Sequence, residues 1–190
     1  MKILGIDPGN VETAYCFLDT SLKQPVVGFD KLKNEEVIKI VEESIIDPGL
    51  DVVFIEMIAS YGMPVGKTVF DTCVFIGELV RLCKEYNQEC YLITRNAIKI
   101  EICKSMKAKD SNIRQALIDI YGGIEATKKI KCIKCKGKGT FKKAICPLCQ
   151  GKNSIKIGQL HGMAKDEWSA LAVATTGFNK LSRKEINFYI

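Results

Sequence analysis

Two acidic side chains stand at the carboxyl ends of apolar segments that are typical of buried strands. Asp7 ends the segment that begins at Lys2, and Glu56 ends the segment that begins at Asp51. Neighbouring parallel strands place their carboxyl ends side by side, which is where open α/β sheets have their binding sites. A carboxylate is costly to bury there unless it is paired or binds a cation. The pattern therefore predicts that Asp7 and Glu56 converge on a cation.

A third carboxylate is available from the last predicted helix, which covers residues 163–178. Consecutive helical residues point about 100° apart, so Asp166 and Glu167 cannot both face a sheet equally. Asp166 shares its face with three small or apolar residues at helical spacing: Ala170, Val173 and Gly177. Such a stripe permits close packing on a sheet. It favours Asp166 as the third acid and leaves Glu167 as the alternative.

Three oxygen ligands of this kind suit Mg²⁺ or Mn²⁺. Two such ions about 4 Å apart activate water and stabilise the leaving oxygen in phosphodiester cleavage. The expected catalytic residues are therefore Asp7, Glu56, Asp166 and Glu167. A plain turn is the rival interpretation for Asp7, which precedes Pro8. An ATPase phosphate loop of the actin-like type is disfavoured, because there is no second Asp-x-Gly strand and 190 residues are too few for two lobes.

Four of the nine cysteines form two close pairs, Cys132 with Cys135 and Cys146 with Cys149. Each Cys-x-x-Cys offers two thiolates, and two such pairs complete a tetrahedron around one ion. A redox pair is the rival interpretation for a single Cys-x-x-Cys. Two pairs at this spacing predict a structural Zn²⁺ site instead. The remaining cysteines are scattered through apolar segments, where reduced cysteine behaves as a small hydrophobe.

The elements that must position these residues alternate along the chain. Strands are predicted over 2–7, 13–18, 25–29, 51–56 and 90–93, and helices over 35–46, 67–86, 95–103, 111–121 and 163–178. Residues 128–157 differ, because lysine, glycine and cysteine dominate there. The sequence thus predicts an α/β nuclease domain over 1–127 and 158–190, with a mixed sheet flanked by helices. The segment 128–157 is predicted to be a zinc-ribbon insertion.

The charge distribution indicates a polyanionic partner. The net charge is +6, and basic residues concentrate in the segments 95–114 and 128–143, the second of which contains no acid. A solvated surface is the alternative. The candidate DNA contacts are Arg95, Lys99, Lys104, Lys107, Lys109, Arg114, Lys134, Lys136 and Lys138. The absence of a signal peptide and of any apolar run long enough to span a membrane predicts a cytoplasmic location.

In their order along the chain, these motifs resemble the RuvC-type Holliday-junction resolvases. The segment Ile3 to Gly9 is similar to their opening strand, Phe54 to Met57 to their second acidic strand, and Ala170 to Ala174 to their closing helix. The chain also resembles bacteriophage RuvC-like proteins over three longer segments: 56–66, 108–117 and 168–174.

This resemblance, which covers residues 1–125 and 158–178, implies a ribonuclease H-like fold, a homodimer and paired nicks across a four-way DNA junction with Mg²⁺. A phage origin would imply the host cell cytoplasm. By position it implies Asp7, Glu56 and Asp166 as the metal-binding acids. Cellular members have a fourth acid three residues after the third, where this chain has Ser169. The family does not imply the cysteine insertion, whose lysines suggest a DNA-gripping role.

Alternative functions remain open on the sequence alone. A ribonuclease H-like nuclease that cuts flaps, forks or structured RNA is one. A non-catalytic zinc-containing DNA-binding protein is the other, and Ser169 in place of an acid keeps it open.

Two apolar surfaces are also predicted. The loop after Glu56 and the start of the next helix either wedge between unstacked bases or pack at the top of that helix, through Tyr61, Met63, Val65 and Phe70. One side of the helix 67–86 is expected to form a dimer contact: Val69, Cys73, Ile76 and Val80.

Overall fold

The computed structural model describes residues 1–47, 49–60, 62, 64–152, 154–156 and 158–186. The chain divides into two compact units. Met1–Ala116 and Met163–Ile190 make up the first unit, and Leu117–Gly162 makes up the second. The second unit contains the cysteine-rich segment 128–157 and extends beyond it on both sides. In the described part of the chain, no helix is long and apolar enough to cross a membrane.

A five-stranded mixed sheet forms the centre of the first unit. Strands β1 (Lys2–Asp7), β2 (Glu12–Asp19) and β3 (Val26–Lys33) are antiparallel neighbours. Strands β4 (Val52–Met57) and β5 (Cys90–Thr94) run parallel to β1, and the sheet order is β3-β2-β1-β4-β5. Strand β3 extends past the predicted end at residue 29, because its pairing with β2 continues to Lys33, which lies opposite Glu12.

The described residues form five α-helices: α1 (Asn34–Ile46), α2 (Lys67–Glu85), α3 (Arg95–Cys103), α4 (Asp110–Ile120) and α5 (Lys165–Ser182). Helices α1 and α2 share a core with alternate residues of β1 and β4, among them Leu4, Ile6, Val53 and Ile55. Because successive strand residues point to opposite faces, Gly5, Asp7, Phe54 and Glu56 belong to the other face, which α5 covers. The predicted mixed α/β architecture is confirmed.

The predicted dimer face of α2 is wrong at Ile76 and Val80. Ile76 is buried in the core of the first unit, and Val80 packs against that core. The apolar residues that α2 exposes are instead Phe70 and Val74, which are 59% and 64% accessible. A helix with apolar residues on more than one side does not reveal by spacing alone which side the sheet takes.

Helix α5 approaches the sheet closely because small residues line the contact. A Cβ atom added at Gly5 would collide with the backbone oxygen of Ala170 and with Ala174, and one added at Gly177 would collide with the ring of Phe54. These glycines therefore allow close backbone approach. The contact fixes the start of α5 beside the ends of β1 and β4.

Helix α5 also extends beyond the predicted end at residue 178. Glu101 of α3 is nearly buried, and its carboxylate accepts hydrogen bonds from Asn179 (3.2 Å) and from both terminal nitrogens of Arg183 (3.0 and 2.6 Å). This long-range ion pair stabilises the last turn of the helix. No local sequence pattern predicts the pair.

The second unit is small and closed by its own ends. A short 3₁₀ helix (Gly123–Thr127) leads into β6 (Lys129–Lys131), which pairs antiparallel with β9 (Ser154–Lys156). Between them, β7 (Thr140–Phe141) and β8 (Ala144–Ile145) form a hairpin. The amide of Leu160 donates to the carbonyl of Ala126 (2.8 Å), and the amide of Gly158 donates to the carbonyl of Lys128 (3.1 Å). These bonds explain why the unit is larger than the segment 128–157.

Candidate functional site

Asp7 and Glu56 lie next to each other at the carboxyl ends of β1 and β4. The paired residues of these strands end at Ile6 and Ile55, so the two acids are the next residues of adjacent parallel strands. The carboxyl of Asp7 is close enough to Glu56 and Ser169 for both side chains to influence its pKa. The topology thus brings together two acids that the sequence separates widely. Asp7, Glu56 and Asp166 together form what is called the carboxylate site below.

Asp166 joins this pair from the first turn of α5. It lies one helical turn before Ala170, which contacts Gly5, and its charge acts on Asp7. Its carboxylate forms an ion pair of 3.0 Å with Lys31 of β3, whose ammonium also contacts Glu12 at 3.2 Å. Glu167, in contrast, accepts a hydrogen bond from the backbone N–H of Ala164, the N-cap residue of α5. The geometry therefore favours Asp166 over Glu167 as the third acid of the site.

Arg95, the first residue of α3, reaches into the carboxylate site. Its Nη1 atom donates to Glu56 Oε2 and to Ser169 Oγ, both at 3.3 Å, and its Nη2 atom is ion-paired with Asp110 of α4. Only 25% of the Arg95 side chain is accessible. The cation therefore stands between an acid of the site and the hydroxyl of Ser169.

The pKa of Asp7 is raised because the site disfavours a further negative charge. Burial is the main cause that raises it, and the charges of Glu56 and Asp166 raise it further, to about 8. The charge of Arg95 and the hydrogen bond with Ser169 oppose this rise. Burial also raises the pKa of Glu56, against the attraction of Arg95. A divalent cation would relieve the repulsion and leave the acids ionised.

The turn after Asp7 is held rigidly. The hydroxyl of Thr13 accepts the N–H of Gly9 (3.2 Å) and donates to Asn34 Oδ1 (2.8 Å), while Asn34 donates to the carbonyl of Gly9 (3.0 Å). Beside this turn, an open cleft of about 230 Å³ is lined by Asp7, Pro8, Glu56, Met57, Ile58, Ala59 and Arg95. The acids therefore face a space that a polar substrate can enter.

The donor set of the carboxylate site fits a hard divalent cation, because all its ligand atoms are carboxylate oxygens. The acids are nevertheless not gathered into a closed cage. Among the described residues, the one cluster of three or more potential metal ligands within 4.8 Å of one another consists of four cysteines. An open set of this kind leaves coordination positions for a substrate.

Cys132, Cys135, Cys146 and Cys149 form the cysteine site of the second unit, and all four side chains are buried. The sulfur atoms of Cys132 and Cys146 are 3.7 Å apart, and those of Cys135 and Cys149 are 3.6 Å apart. A tetrahedron with Zn–S bonds of about 2.3 Å has edges of about 3.8 Å. The cluster therefore fits the predicted zinc ribbon.

Backbone amides favour the thiolate form at the cysteine site. Burial acts to raise the pKa of Cys135, but the N–H of Gly139 (3.3 Å to the sulfur) and the neighbouring thiols Cys132 and Cys149 outweigh it and lower the pKa to about 6. Burial is likewise overcome at Cys146, whose pKa is lowered by the amides of Cys149 and Leu148. Thiolates are the form that binds zinc.

The predicted DNA contacts lie in different settings. Arg95 belongs to the carboxylate site, and Lys104 donates to the carbonyl of Glu101. Arg114 stacks its guanidinium 5.1 Å above the ring of Trp168. Lys99 is half-buried. The remaining candidates are exposed: Lys107, Lys109, Lys134, Lys136 and Lys138.

Sequence reasoning missed two charged residues beside the site: Lys31, which pairs with Asp166, and Asp110, which pairs with Arg95. Lys31 has no motif around it and lies opposite Ala14 in the β2–β3 pairing, so only the sheet register brings it towards Asp166. Asp110 follows a lysine at the start of a helix, which suggests no more than a helix start. Of the predicted wedge residues, Val65 and Phe70 are exposed, and Tyr61 and Met63 lie outside the described residues.

Comparisons with known proteins bear on the fold. No protein-family model matches the chain, and no curated protein matches it. A structure of Thermus thermophilus RuvC is 14% identical with a TM-score of 0.61, covering 100% of both chains. T. thermophilus RuvC in complex with a Holliday junction substrate is 12% identical with a TM-score of 0.68, covering 100% of this chain and 99% of that chain. The chain therefore has the RuvC-like, ribonuclease H-like fold that was predicted.

Proposed function

We propose that this protein is a metal-dependent endonuclease that hydrolyses phosphodiester bonds in branched DNA, with the four-way junction as its principal substrate. The observation that carries the proposal is the convergence of Asp7, Glu56 and Asp166 beside an open cleft. Their position on a fold shared with RuvC, which has been solved with a Holliday junction substrate, supports the choice of substrate.

Asp7, Glu56 and Asp166 would hold Mg²⁺ or Mn²⁺. When bound, such ions lower the pKa of water and neutralise the charge that develops on the leaving oxygen. Asp7 is the acid for which the cation matters most, because its pKa of about 8 keeps it largely protonated at neutral pH without one. Glu167 orients the first turn of α5 through its bond to Ala164 and supplies no ligand.

Arg95 and Lys31 are the two basic side chains that lie beside the acids of the site. Each is ion-paired with one acid in the absence of a metal, Arg95 with Glu56 and Lys31 with Asp166. If a divalent ion bound the acids, part of these interactions would be released. The guanidinium of Arg95 and the ammonium of Lys31 would then remain beside the cleft, where they could bind the phosphate being cut.

The cysteine site holds one structural Zn²⁺ per chain, and its role is to fold the second unit, which has too few apolar residues for a core of its own. The exposed lysines around it, including Lys134, Lys136 and Lys138, contact DNA phosphates. In the first unit, Lys99, Lys104, Lys107, Lys109 and Arg114 provide a second set of phosphate contacts.

A homodimer follows from the proposed substrate. A four-way junction offers two equivalent strands, and two symmetric nicks need two active sites related by a twofold axis. The exposed residues Phe70 and Val74 of α2, with Gly77 beside them and open space above it, form the apolar surface proposed for this contact.

One observation favours a second candidate function. Arg95 stands between Glu56 and Ser169, where a further acid would extend the metal site. A protein whose arginine permanently neutralised the acids would bind branched DNA without cutting it. This alternative makes the opposite prediction for cleavage.

The test compares matched labelled substrates: a four-way junction, a three-way junction, a flap, a fork, a linear duplex and a structured RNA. Each is incubated with the zinc-loaded protein and Mg²⁺ or Mn²⁺, with Ca²⁺ as the control ion. We expect paired nicks in the four-way junction and little cleavage of the duplex. Tight binding without nicks under every condition would select the non-catalytic candidate, and preferential cleavage of flaps, forks or RNA would redirect the substrate assignment.

A further inference from the structure

The β7–β8 hairpin of the second unit has an unusual turn. Two lysines, Lys142 and Lys143, connect Phe141 to Ala144, and both adopt the left-handed backbone conformation, with φ values of 50° and 66°. Two-residue hairpin turns of this kind strongly prefer Asn-Gly or Asp-Gly, because the left-handed region is unfavourable for other side chains. Strain of this type is a reason to look for a function at the tip of the hairpin.

Phe141 gives this hairpin an aromatic face. The ring belongs to a residue that is 36% accessible, and two ammonium groups lie close to it, Lys134 Nζ at 5.3 Å and Lys142 Nζ at 5.9 Å from the ring centroid. The same unit exposes Ile133 and Ile145, which are 71% and 72% accessible. An aromatic ring flanked by cations and by apolar side chains is suited to a flat, electron-rich partner that carries negative charge.

The charge of the surrounding chain restricts the class of partner. Between Glu125 and Asp166 the sequence contains no acidic residue, no arginine and eleven lysines. Lysine binds phosphate as a point charge, whereas arginine is the residue that most often reads guanine edges. The surface is therefore built to grip a phosphate backbone with little sequence readout.

The partner of Phe141 must offer a free base face, and this requirement distinguishes unpaired from paired nucleic acid. In a duplex, neighbouring bases cover one another's faces, so Phe141 finds no free base to stack on. An unpaired nucleotide offers both a base face and adjacent phosphates, which is the combination that single-strand-binding surfaces recognise.

We propose that the β7–β8 hairpin, Thr140–Ile145, is a probe for unpaired nucleotides: Phe141 stacks on an exposed base while Lys134, Lys142 and Lys143 bind the flanking phosphates. The inference rests on the proposed function for the identity of the nucleic acid as branched DNA. It deepens that function by naming the substrate class, which is branched DNA with unpaired nucleotides at the branch point.

The experiment measures binding, so it does not depend on cleavage. Full-length, zinc-loaded protein carrying Glu56→Gln is titrated into fluorescein-labelled DNA in buffer without added divalent ions. The probes are a fully paired four-way junction, the same junction with two unpaired thymidines at the branch, a duplex and a thymidine oligonucleotide. Variants at the hairpin are compared with Ile124→Ala, which removes an exposed apolar side chain of the same unit outside the hairpin.

Phe141→Ala is expected to weaken binding to the two probes with unpaired thymidines about tenfold and to the duplex less than twofold, as loss of one stacked base implies. Phe141→Leu, which keeps an apolar side chain without the ring, should behave like Phe141→Ala. Ile124→Ala should change neither. Zinc content and circular dichroism identify any variant that fails to fold. Equal affinity of the folded Phe141→Leu variant and its parent for the unpaired probes would overturn the proposal.

The double variant Lys142→Asn with Lys143→Gly separates charge from backbone shape. Asn-Gly favours the same turn, so the hairpin is kept while two charges are removed. The slope of log affinity against log salt for the unpaired probes should fall by about 1.4 if both lysines bind phosphate. An unchanged slope would remove the phosphate contacts from the proposal.

Two controls keep the outcomes distinct. Binding of anionic lipid vesicles that depends on Phe141 and exceeds DNA binding would reassign the surface to membranes and overturn the inference. Junction cleavage by the wild-type chain without any effect of Phe141→Leu would leave the nuclease proposal standing and sink the hairpin probe alone. Absence of cleavage, together with a preference for unpaired DNA that depends on the Phe141 ring, would overturn the nuclease proposal and leave the hairpin probe standing.

Discussion

The carboxylate site draws its three acids from residues 7, 56 and 166, which are far apart in the chain, whereas the cysteine site draws all four thiols from the short segment Cys132 to Cys149. The first set is open, and its acids are partly neutralised by Lys31 and Arg95. The second set is closed and its sulfur atoms already have tetrahedral spacing. A closed set can hold an ion for structure alone, while an open set can exchange ligands with a substrate.

The largest expected effect tests the open site. Asp7→Asn, Glu56→Gln and Asp166→Asn should each reduce junction cleavage at least about a thousandfold, because each removes an oxygen ligand, while junction affinity changes by less than about threefold. Single-turnover cleavage and fluorescence anisotropy measure the two quantities. Glu167→Gln is the matched control. It weakens a helix cap, so it should lower stability by about 1 kcal/mol and leave cleavage within about threefold. Cleavage at the wild-type rate by Asp7→Asn or Glu56→Gln would refute the assignment of these acids to the active site.

The next effect tests the closed site. Cys135→Ser should abolish stoichiometric zinc, unfold the second unit and leave the sheet of the first unit folded, because the two units form separate clusters of contacts. Elemental analysis, limited proteolysis over 117–162 and circular dichroism report these changes. Cys103→Ser, at a half-buried cysteine of the first unit, should retain the zinc. Full zinc content in the Cys135 variant would show that the ion is held by other ligands.

A smaller effect concerns the resident arginine. Arg95→Met should strengthen Mn²⁺ binding several-fold, since no guanidinium competes for Glu56, and lower cleavage at least about tenfold through the lost phosphate contact. Calorimetric Mn²⁺ titration without DNA gives the first readout independently of activity. Arg81→Met, which breaks only an exposed ion pair with Glu85, should alter neither quantity. Weaker Mn²⁺ binding in the Arg95 variant would mean that the guanidinium organises the acids rather than competing with the ion.

The last effect is the pH dependence of stability without added divalent ions. The pKa of Asp7 rises from its ordinary value of 3.8 to about 8 on folding, so the folded chain keeps a proton that the unfolded chain loses. The Asp7 contribution is absent below pH 3.8, lowers stability progressively between pH 3.8 and 8, and is constant above that, with a slope of at most about 1.4 kcal/mol per pH unit. Denaturant unfolding at several pH values, compared with Asp7→Asn, isolates it. A difference between the two proteins that does not grow with pH would contradict the raised pKa, and added Mg²⁺ should reduce it.

The contrast between the two sites also separates what sequence can predict from what it cannot. The cysteine spacing is local, and each strand that ends in an acid is a local pattern, so both could be recognised. Asp166 could be favoured over Glu167 because the small residues that follow it mark the contact face of α5. Lys31, Asp110 and the arginine's place among the acids depend on sheet register and helix packing between distant segments. For the same reason, periodicity gave the wrong outward face for α2, where Ile76 enters the core.

The closure of the second unit at its own ends has an evolutionary consequence. The bonds from Leu160 to Ala126 and from Gly158 to Lys128 bring the outgoing and incoming chain together. Whatever lies between such paired ends can lengthen or shorten with only a small cost in loop entropy. A lineage could therefore gain, lose or exchange the intervening module by a single insertion or deletion, and the first unit would keep the same short connection each time.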